Sequence, residues 1–378
     1  MDFNFSEEQL TLQDLARGML EKEVTPERLR EIEAGPEGFD RELWSTLAEA
    51  HLLGLVVPEE LGGMGFGLPE VCMLLHEIGR TLAPVPVLPT LAFAGLPLAE
   101  FGSDAQKKAW LAPMAAGQLV LSAALVDAGS EEPARPATRA RRNGSGWTLD
   151  GQKRFVPALH LAQRVLVPAA TDAGAGVFLV DPQAEGITHV RANTSSGEPI
   201  FDLTLEGVTV GEDDLLGGDA QNGGEIALWI YQRALVAICA TQLGVSEKAL
   251  ELTAGYVSQR EQFGVPIGSF QAVQHRAADA YIDLEALRWV TWRAIWKLSQ
   301  GLPASRETAV AKFWAAEAGS RIANSAQHLH AGIGVDVDYP IHRYFLWSKH
   351  LELSLGAAMP QLARLGRDMA RTGPKELA

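Results

Sequence analysis

The chain changes its hydrophobic period twice, and this limits the folds open to it more than any other property of its 378 residues. Up to about residue 118, apolar side chains recur at helical spacing. From Val120 they fall into short alternating or continuous apolar runs, and beyond about residue 217 helical spacing returns and lasts to about Arg371. A helical stripe does not bury itself as a strand, nor an alternating strand as a helix. The expected order is therefore an all-helical domain over 1–118, a β domain over 119–216 and long helices over 217–378, in a chain long enough to bury a substantial core.

Local signals fill in this outline. Ser6-x-x-Gln9 reads as a capping box opening a helix with Leu12, Leu15, Ala16, Met19 and Leu20 on one face. Further helical pattern runs from Leu43 to Leu53 and from Val71 to Leu82, joined across the glycine-rich turn Val57-Pro-Glu-Glu-Leu-Gly-Gly-Met-Gly65. Strands are expected at Leu119 to Val126, Gly146 to Leu149, Val165 to Pro168, Val177 to Val180 and Phe201 to Val210. Asn143-Gly144 and other glycines and prolines punctuate them as antiparallel strands with tight turns. Asp127 to Arg142, where Gly, Pro, Glu and Arg cluster, reads as the most disordered stretch. After the loop Gly217 to Gly224, the span Phe270 to Leu298, with Val273, Ala277, Ala280, Leu284, Leu287 and Ile295 inward, is long enough for a helix bundle.

Composition excludes some function classes. A net charge of −15 argues against unspecific binding to nucleic acid or to an anionic membrane, both of which need a basic face. The opening Met1-Asp-Phe-Asn-Phe-Ser-Glu-Glu is too acidic and polar for a signal peptide, and no run of about eighteen uncharged apolar residues occurs, so a cytoplasmic protein is expected. Cys72 and Cys239, both in apolar helical pattern, read as buried reduced thiols. Together with nine scattered histidines they offer no metal-ligand spacing.

Two short stretches carry chemistry. In Arg260-Glu-Gln-Phe-Gly-Val-Pro-Ile-Gly-Ser-Phe-Gln271, Gly264 and Pro266 end one helix and Ser269 is placed to N-cap the next. Arg260 then projects from a loosened helix end, free for a bidentate contact with a pyrophosphate, although a plain helix-loop-helix corner has the same spacing. In His328-Leu-His-Ala-Gly-Ile-Gly334 the glycines let backbone amides approach an anion closely, and a simple helix C-cap is the alternative.

These motifs resemble the flavin-contacting segments of the acyl-CoA dehydrogenase family. That family carries Arg-x-x-Phe-Gly, then a Pro, then Phe-Gln eleven residues after the arginine; Gln-x-x-Gly-Gly-x-Gly; and Tyr-Pro-x-x-Arg, here Tyr339-Pro-Ile-His-Arg343. The glycine-rich turn at 57–65 resembles its Pro-Glu-x-Gly-Gly-x-Gly segment. The likeness covers nearly the whole chain and implies a mainly helical fold: an N-terminal helical domain, a middle β-barrel and a C-terminal four-helix bundle. It implies FAD as cofactor, with Arg260, Gln262, Phe263 and Gln271 in one corner and His328, Ala331 and Gly332 in the other holding the ADP half of a neighbouring subunit's FAD. Here His328 stands in place of the family's glutamine and Ala331 in place of its first glycine. An electron-transfer flavoprotein is the implied acceptor.

The family's reaction removes an α-proton from an acyl thioester and passes a β-hydride to flavin, so its base must be a carboxylate in a dry pocket. Counted from Tyr339 with Gly356 as the following glycine, the usual glutamate position holds Leu355. The alternative position on the first long helix of the C-terminal part, counted through Arg233, holds Gln232. No catalytic residue stands at either expected place. The flavin-ring side of the β domain departs too: Val126-Asp127-Ala128 replaces Thr-Glu-Pro, and after Gly151-Gln-Lys153, Phe155 replaces a tryptophan and Pro157 a hydroxyl residue. Proline supplies neither hydroxyl nor N–H.

The missing residues would serve the subunit's own flavin ring and base, while those that serve a neighbour's FAD are kept. The string from His328 to Tyr344 resembles most the base-lacking subunits of actinobacterial acyl-CoA dehydrogenases that act on steroid side-chain CoA thioesters, which are heterotetramers of two copies each of two subunit types. The resemblance implies a partner that brings the glutamate. The alternatives are a homomeric enzyme with a displaced base, Glu352 one turn before Leu355 or Asp127 beside the barrel loop, and a non-catalytic acyl-CoA or flavin-binding homologue or flavoprotein of another reaction type.

Overall fold

The computed structural model describes residues 4–130, 132–218 and 220–372. Met1 to Phe3 of the acidic opening, Glu131 of the stretch read as disordered, Asp219 of the loop at 217–224 and residues 373–378 lie outside it. Four helices open the chain: α1 (Glu7–Glu23), α2 (Pro26–Ala34), α3 (Arg41–Glu49) and α4 (Leu68–Thr81). Short pieces α5 (Leu96–Phe101), α6 (Asp104–Gln106) and α7 (Ala112–Ala115) lead to the strands. These are β1 (Val120–Ala123), β2 (Val126–Asp127), β3 (Arg139–Asn143), β4 (Gly146–Pro157), β5 (Ala162–Thr171), β6 (Gly174–Val180), β7 (Ile187–Asn193) and β8 (Pro199–Gly211). The long α8 (Gly223–Gln259) follows, then the two-residue strands β9 (Glu261–Gln262) and β10 (Val265–Pro266). Helices α9 (Gln271–Ser299), α10 (Ser305–His330), α11 (Ile341–Leu353) and α12 (Ala358–Thr372) complete the order.

The chain divides into two compact units, one of residues 1–31, 72–83 and 235–378, the other of 32–71 and 84–234. The second unit holds an eight-stranded sheet in the order β1-β5-β3-β4-β8-β7, with β2 on β4 and β6 on β5. Alternation drives it: along β8, Phe201, Leu203 and Leu205 are buried together with Trp147, Leu149, Val165, Val167 and Phe178. Two expectations change here. Arg139–Asn143, which begins inside the stretch read as disordered, is a strand: Ala140 is buried while its neighbours face water, and Ser130 Oγ donates to the Arg135 carbonyl at 2.7 Å to hold the preceding turn. The strands are also not all antiparallel, because β1 runs parallel to β5.

In the first unit α10 packs against α9, α11 and α12. Its buried face includes Ala309, Ala311, Ala315, Ala316, Ala318 and Ala323, small residues that let neighbouring helices come close. The capping box at Ser6 is present, with Ser6 Oγ accepting from the Gln9 amide at 3.2 Å and Gln9 Oε1 from the Ser6 amide at 3.0 Å. Leu12, Ala16 and Leu20 are buried, but Leu15 is 49% exposed, since the inward stripe follows the i, i+4 row. Helix α8 is long and apolar enough to cross a membrane by length and composition, yet 78% of its apolar window is buried inside the protein, as in a core helix. Both cysteines are buried free thiols.

Glycines set how closely α4 and α8 cross. A Cβ on Gly79 would sit 2.1 Å from the Thr241 carbonyl oxygen, and one on Gly244 would sit 1.9 Å from that of His76. Around this crossing lies a buried ionic cluster. His76 Nδ1 is 3.0 Å from Glu77 Oε1 and its Nε2 3.4 Å from Glu247, Arg17 meets Glu77 at 2.9 Å, Arg288 meets Glu247 at 2.8 Å, and Arg80 bridges Glu247 and Glu251. Burial works against charging His76, but hydrogen bonds to Glu247 and Glu77 outweigh it and its pKa is raised. Burial likewise opposes the Glu77 charge, and His76 and Arg17 overcome this to bring it down to about 2.

A raised folded-state pKa means that the His76 contribution is full below the unfolded value, about 6.5, and is lost as pH climbs through the folded value. Thermal unfolding followed from pH 6 to 9 is expected to show stability declining over this window, and His76→Gln to remove that decline. An unchanged slope in His76→Gln would assign the loss to other groups.

Candidate cofactor site

Helix α8 ends at Gln259, and the next residues form a small hairpin. Gln262 pairs with Val265 across a two-residue turn in which Phe263 (φ 56°) and Gly264 (φ 80°) are both left-handed, the condition for a type I′ turn. The Arg260 amide donates to the Tyr256 carbonyl at 2.8 Å and its carbonyl accepts from Ile267 at 2.8 Å, so the backbone of Arg260 is held at both ends. Its side chain is exposed and, among the described residues, its guanidinium has no hydrogen-bond or ion-pair partner, which leaves it available to an anionic ligand.

Ser269 does not cap α9, contrary to its expected role. Its hydroxyl donates to the Pro266 carbonyl at 2.7 Å and closes a short turn, while Phe270 occupies the cap position with no side-chain hydrogen bond. Gln271 is thus the first residue of a 29-residue helix, exposed at an end where amide groups lack intrahelical acceptors and the helix dipole favours negative charge. Gln262 turns its side-chain amide to the Glu261 carbonyl at 2.7 Å, and Phe263 is 93% exposed with its ring 6.1 Å from that of Phe270.

The second corner closes α10. His328 lies exposed in its last turn, Ala331 has φ 51° and ψ −132°, and a Cβ added at Gly332 would meet nothing within 4 Å, so the backbone there is open to a ligand. The alanine strains this turn, because such dihedrals suit glycine. Ala331→Gly is expected to stabilise the chain by about 1–3 kcal/mol in urea denaturation. Equal or lower stability would show the turn to be unstrained.

The residues at and near the positions where a base is expected are placed as follows. Leu355 follows the end of α11 at φ 52°, and its carbonyl accepts from Gln361 Nε2 at 3.1 Å. Gln232 lies on α8, partly buried. The Glu352 carboxylate is held by Lys349 Nζ at 2.5 Å. Asp127 is spent as a structural tie: one oxygen accepts from the Thr138 amide at 2.9 Å and hydroxyl at 2.6 Å, the other from Lys153 Nζ at 2.7 Å, and Lys153 also donates to the Pro168 carbonyl at 2.7 Å. Lys153 is fully buried, and burial pulls its pKa down to about 8 against the attraction of Asp127.

At the ring-side positions, Phe155 sits at φ 57° in an irregularity of the β4–β8 ladder, 56% exposed, with Arg154 over its ring. The Pro157 carbonyl accepts from Ser122 Oγ at 2.6 Å. Neither position offers a side-chain hydroxyl.

Lys312 escaped the sequence reading. It is fully buried on α10, donates to the Leu351 and Glu352 carbonyls at 3.1 and 2.9 Å, and so caps the end of α11 just ahead of Leu355. Burial lowers its pKa to about 8. A lone lysine in an apolar helical run is the only sequence signal.

With this geometry in view, residues 6–118 match the acyl-CoA dehydrogenase N-terminal domain and residues 221–370 the acyl-CoA dehydrogenase C-terminal domain. Acyl-CoA dehydrogenase FadE27 of Mycobacterium tuberculosis is 40% identical over 380 residues, spanning 98% of this chain and 100% of that protein. The solved ChsE4-ChsE5 complex from Mycobacterium tuberculosis contains a chain 40% identical, covering 98% of this chain and 100% of that one at a TM-score of 0.93. A chain of the Tcur3481-Tcur3483 steroid ACAD variant is 43% identical, covering 97% and 98%, at a TM-score of 0.90.

Proposed function

The chain belongs to the acyl-CoA dehydrogenase family, whose cofactor is FAD, and from that membership we propose that it is the base-lacking subunit of a heterotetrameric enzyme desaturating a steroid side-chain acyl-CoA. The observation that carries this is a division within the molecule. The Arg260 and Gly332 corners are exposed, while Leu355 and Gln232 stand where the base is expected and Asp127 is tied to Lys153.

The residues present suit the ADP half of FAD. Arg260 would hold the pyrophosphate bidentately, Gln271 would donate from the start of α9, and the open backbone at Gly332 would lie against the nucleotide, with His328 offering a ring N–H. When bound, FAD accepts the β-hydride. The partner, a glutamate-bearing homologue, supplies the base that takes the α-proton, and an electron-transfer flavoprotein is the proposed acceptor. We place the protein in the cytoplasm and assign the three segments 1–118, 119–216 and 217–378 to the helical, barrel and bundle domains of the family. Two of the similar solved structures support the heteromeric reading: one is described as a ChsE4-ChsE5 complex and the other as a Tcur3481-Tcur3483 steroid ACAD.

The homomeric alternative needs Glu352 to act as base, but its carboxylate is already engaged by Lys349 Nζ at 2.5 Å. Native mass spectrometry with flavin quantitation decides between them. The lone chain is expected to carry little flavin and turn over no acyl-CoA, and the co-expressed pair to form a tetramer with two FAD. Stoichiometric flavin and turnover by the lone chain would refute the heteromeric assignment.

A further inference from the structure

The two exposed corners and the Tyr-Pro motif meet in one aromatic cluster. Tyr256, one turn before Arg260, stacks on His330 with ring centroids 4.5 Å apart and planes 22° from parallel. Tyr339 completes the group, 5.2 Å from the His330 ring and 6.3 Å from that of Tyr256. Tyr256 also accepts the Arg260 amide through its own backbone carbonyl, so one residue joins the stack to the root of the first corner. His330 stands between His328 and Gly332, at the root of the second.

His330 is 1% exposed, and a filler would need no nitrogen. Its Nδ1 lies 2.8 Å from the Ala326 carbonyl, which can only accept, so Nδ1 carries the hydrogen and anchors the ring to the preceding turn of α10. Nε2 is buried with no partner among the described residues. An unpaired buried acceptor costs about 1–3 kcal/mol, so the ring is kept in spite of a penalty that phenylalanine or leucine would avoid. Burial lowers the pKa of His330, keeping the ring neutral. A flat ring oriented by one N–H is what the place demands, because both corners are otherwise exposed and nothing else among the described aromatic contacts joins them.

We propose that His330 is a positioning residue: stacked on Tyr256 and against Tyr339, it fixes the separation of the Arg260 and Gly332 corners and thereby sets how tightly this subunit holds the ADP half of FAD. The proposal rests on the corners being a flavin-nucleotide site, and its test separates the two.

FAD dissociation constants are measured by flavin fluorescence on the apo form of the co-expressed complex, with its thermal midpoint recorded alongside. His330→Leu is expected to weaken FAD about tenfold with kcat at saturating FAD unchanged, and His330→Phe, which keeps the stacking ring but loses the Nδ1–H anchor to the Ala326 carbonyl, to recover only part of that affinity. On an Arg260→Ala background His330→Leu should add little, because it acts through the same corner. Full additivity, or a fall in thermal midpoint with unchanged FAD affinity, would reduce His330 to ordinary packing. Should His330→Leu fail to assemble, Tyr256→Leu perturbs the stack from its other face, with the same affinity loss expected and unchanged affinity overturning the proposal. If Arg260→Ala itself leaves FAD affinity unchanged, the underlying site assignment fails instead.

Discussion

Replacing Arg260 with alanine in the assembled enzyme is expected to weaken FAD binding about 10- to 100-fold, because a charge-assisted contact to phosphate is worth about 1.5–3 kcal/mol and each 1.4 kcal/mol is tenfold. The same change should leave thermal stability nearly untouched. The guanidinium is exposed and makes no ion pair or hydrogen bond among the described residues, so the folded chain loses nothing when it goes. Lysine at 260 keeps the charge but not the planar fork, and should fall between the two. Equilibrium flavin binding with an unfolding curve on each variant checks both halves. Unaltered FAD affinity in Arg260→Ala would remove the corner from the cofactor site.

Asp127→Ala is expected to cost about 3–5 kcal/mol of stability, since it leaves the Lys153 ammonium buried without its counter-charge. Thr138 loses its acceptor in the same step. The pH dependence has a definite sign. Lys153 already has its pKa lowered to about 8 by burial, so the folded state gives up that proton before the unfolded state does, and stability rises with pH across the interval. The deficit of the variant should therefore be largest near pH 7 and shrink by about pH 9. A catalytic carboxylate would behave oppositely, with Asp127→Asn folding like the parent and losing only turnover. Urea denaturation at the two pH values distinguishes a tie from a base.

Much of this was legible in the sequence because its signals are local. The change of period located the sheet, Ser6 and Gln9 sit three residues apart, and the Arg260 corner is defined by a glycine and a proline inside twelve residues. What was hidden depends on distant partners. Strand β7 is exposed along nearly its whole length at the sheet edge, so it shows no alternation, and β3 buries a single alanine between arginines. Ser269 looks like a cap in isolation, but its hydroxyl donates to the Pro266 carbonyl and α9 is left without a side-chain cap. The engagement of Asp127 with Lys153, twenty-six positions away, and the stacking of Tyr256 on His330 exist only once the chain has folded back on itself.

The close crossing of α4 and α8 has a bearing on how this protein can be improved. Exchanging helical glycine for alanine is a routine stabilising move, because alanine restricts the unfolded chain and favours the helix. Gly18, Gly255 and Gly366 have open space around the missing Cβ and invite it. Gly79 and Gly244 face backbone oxygens at about 2 Å and reverse its sign, so a consensus or propensity-guided redesign that treats all helical glycines alike would undo at these positions what it gains at Gly18, Gly255 and Gly366.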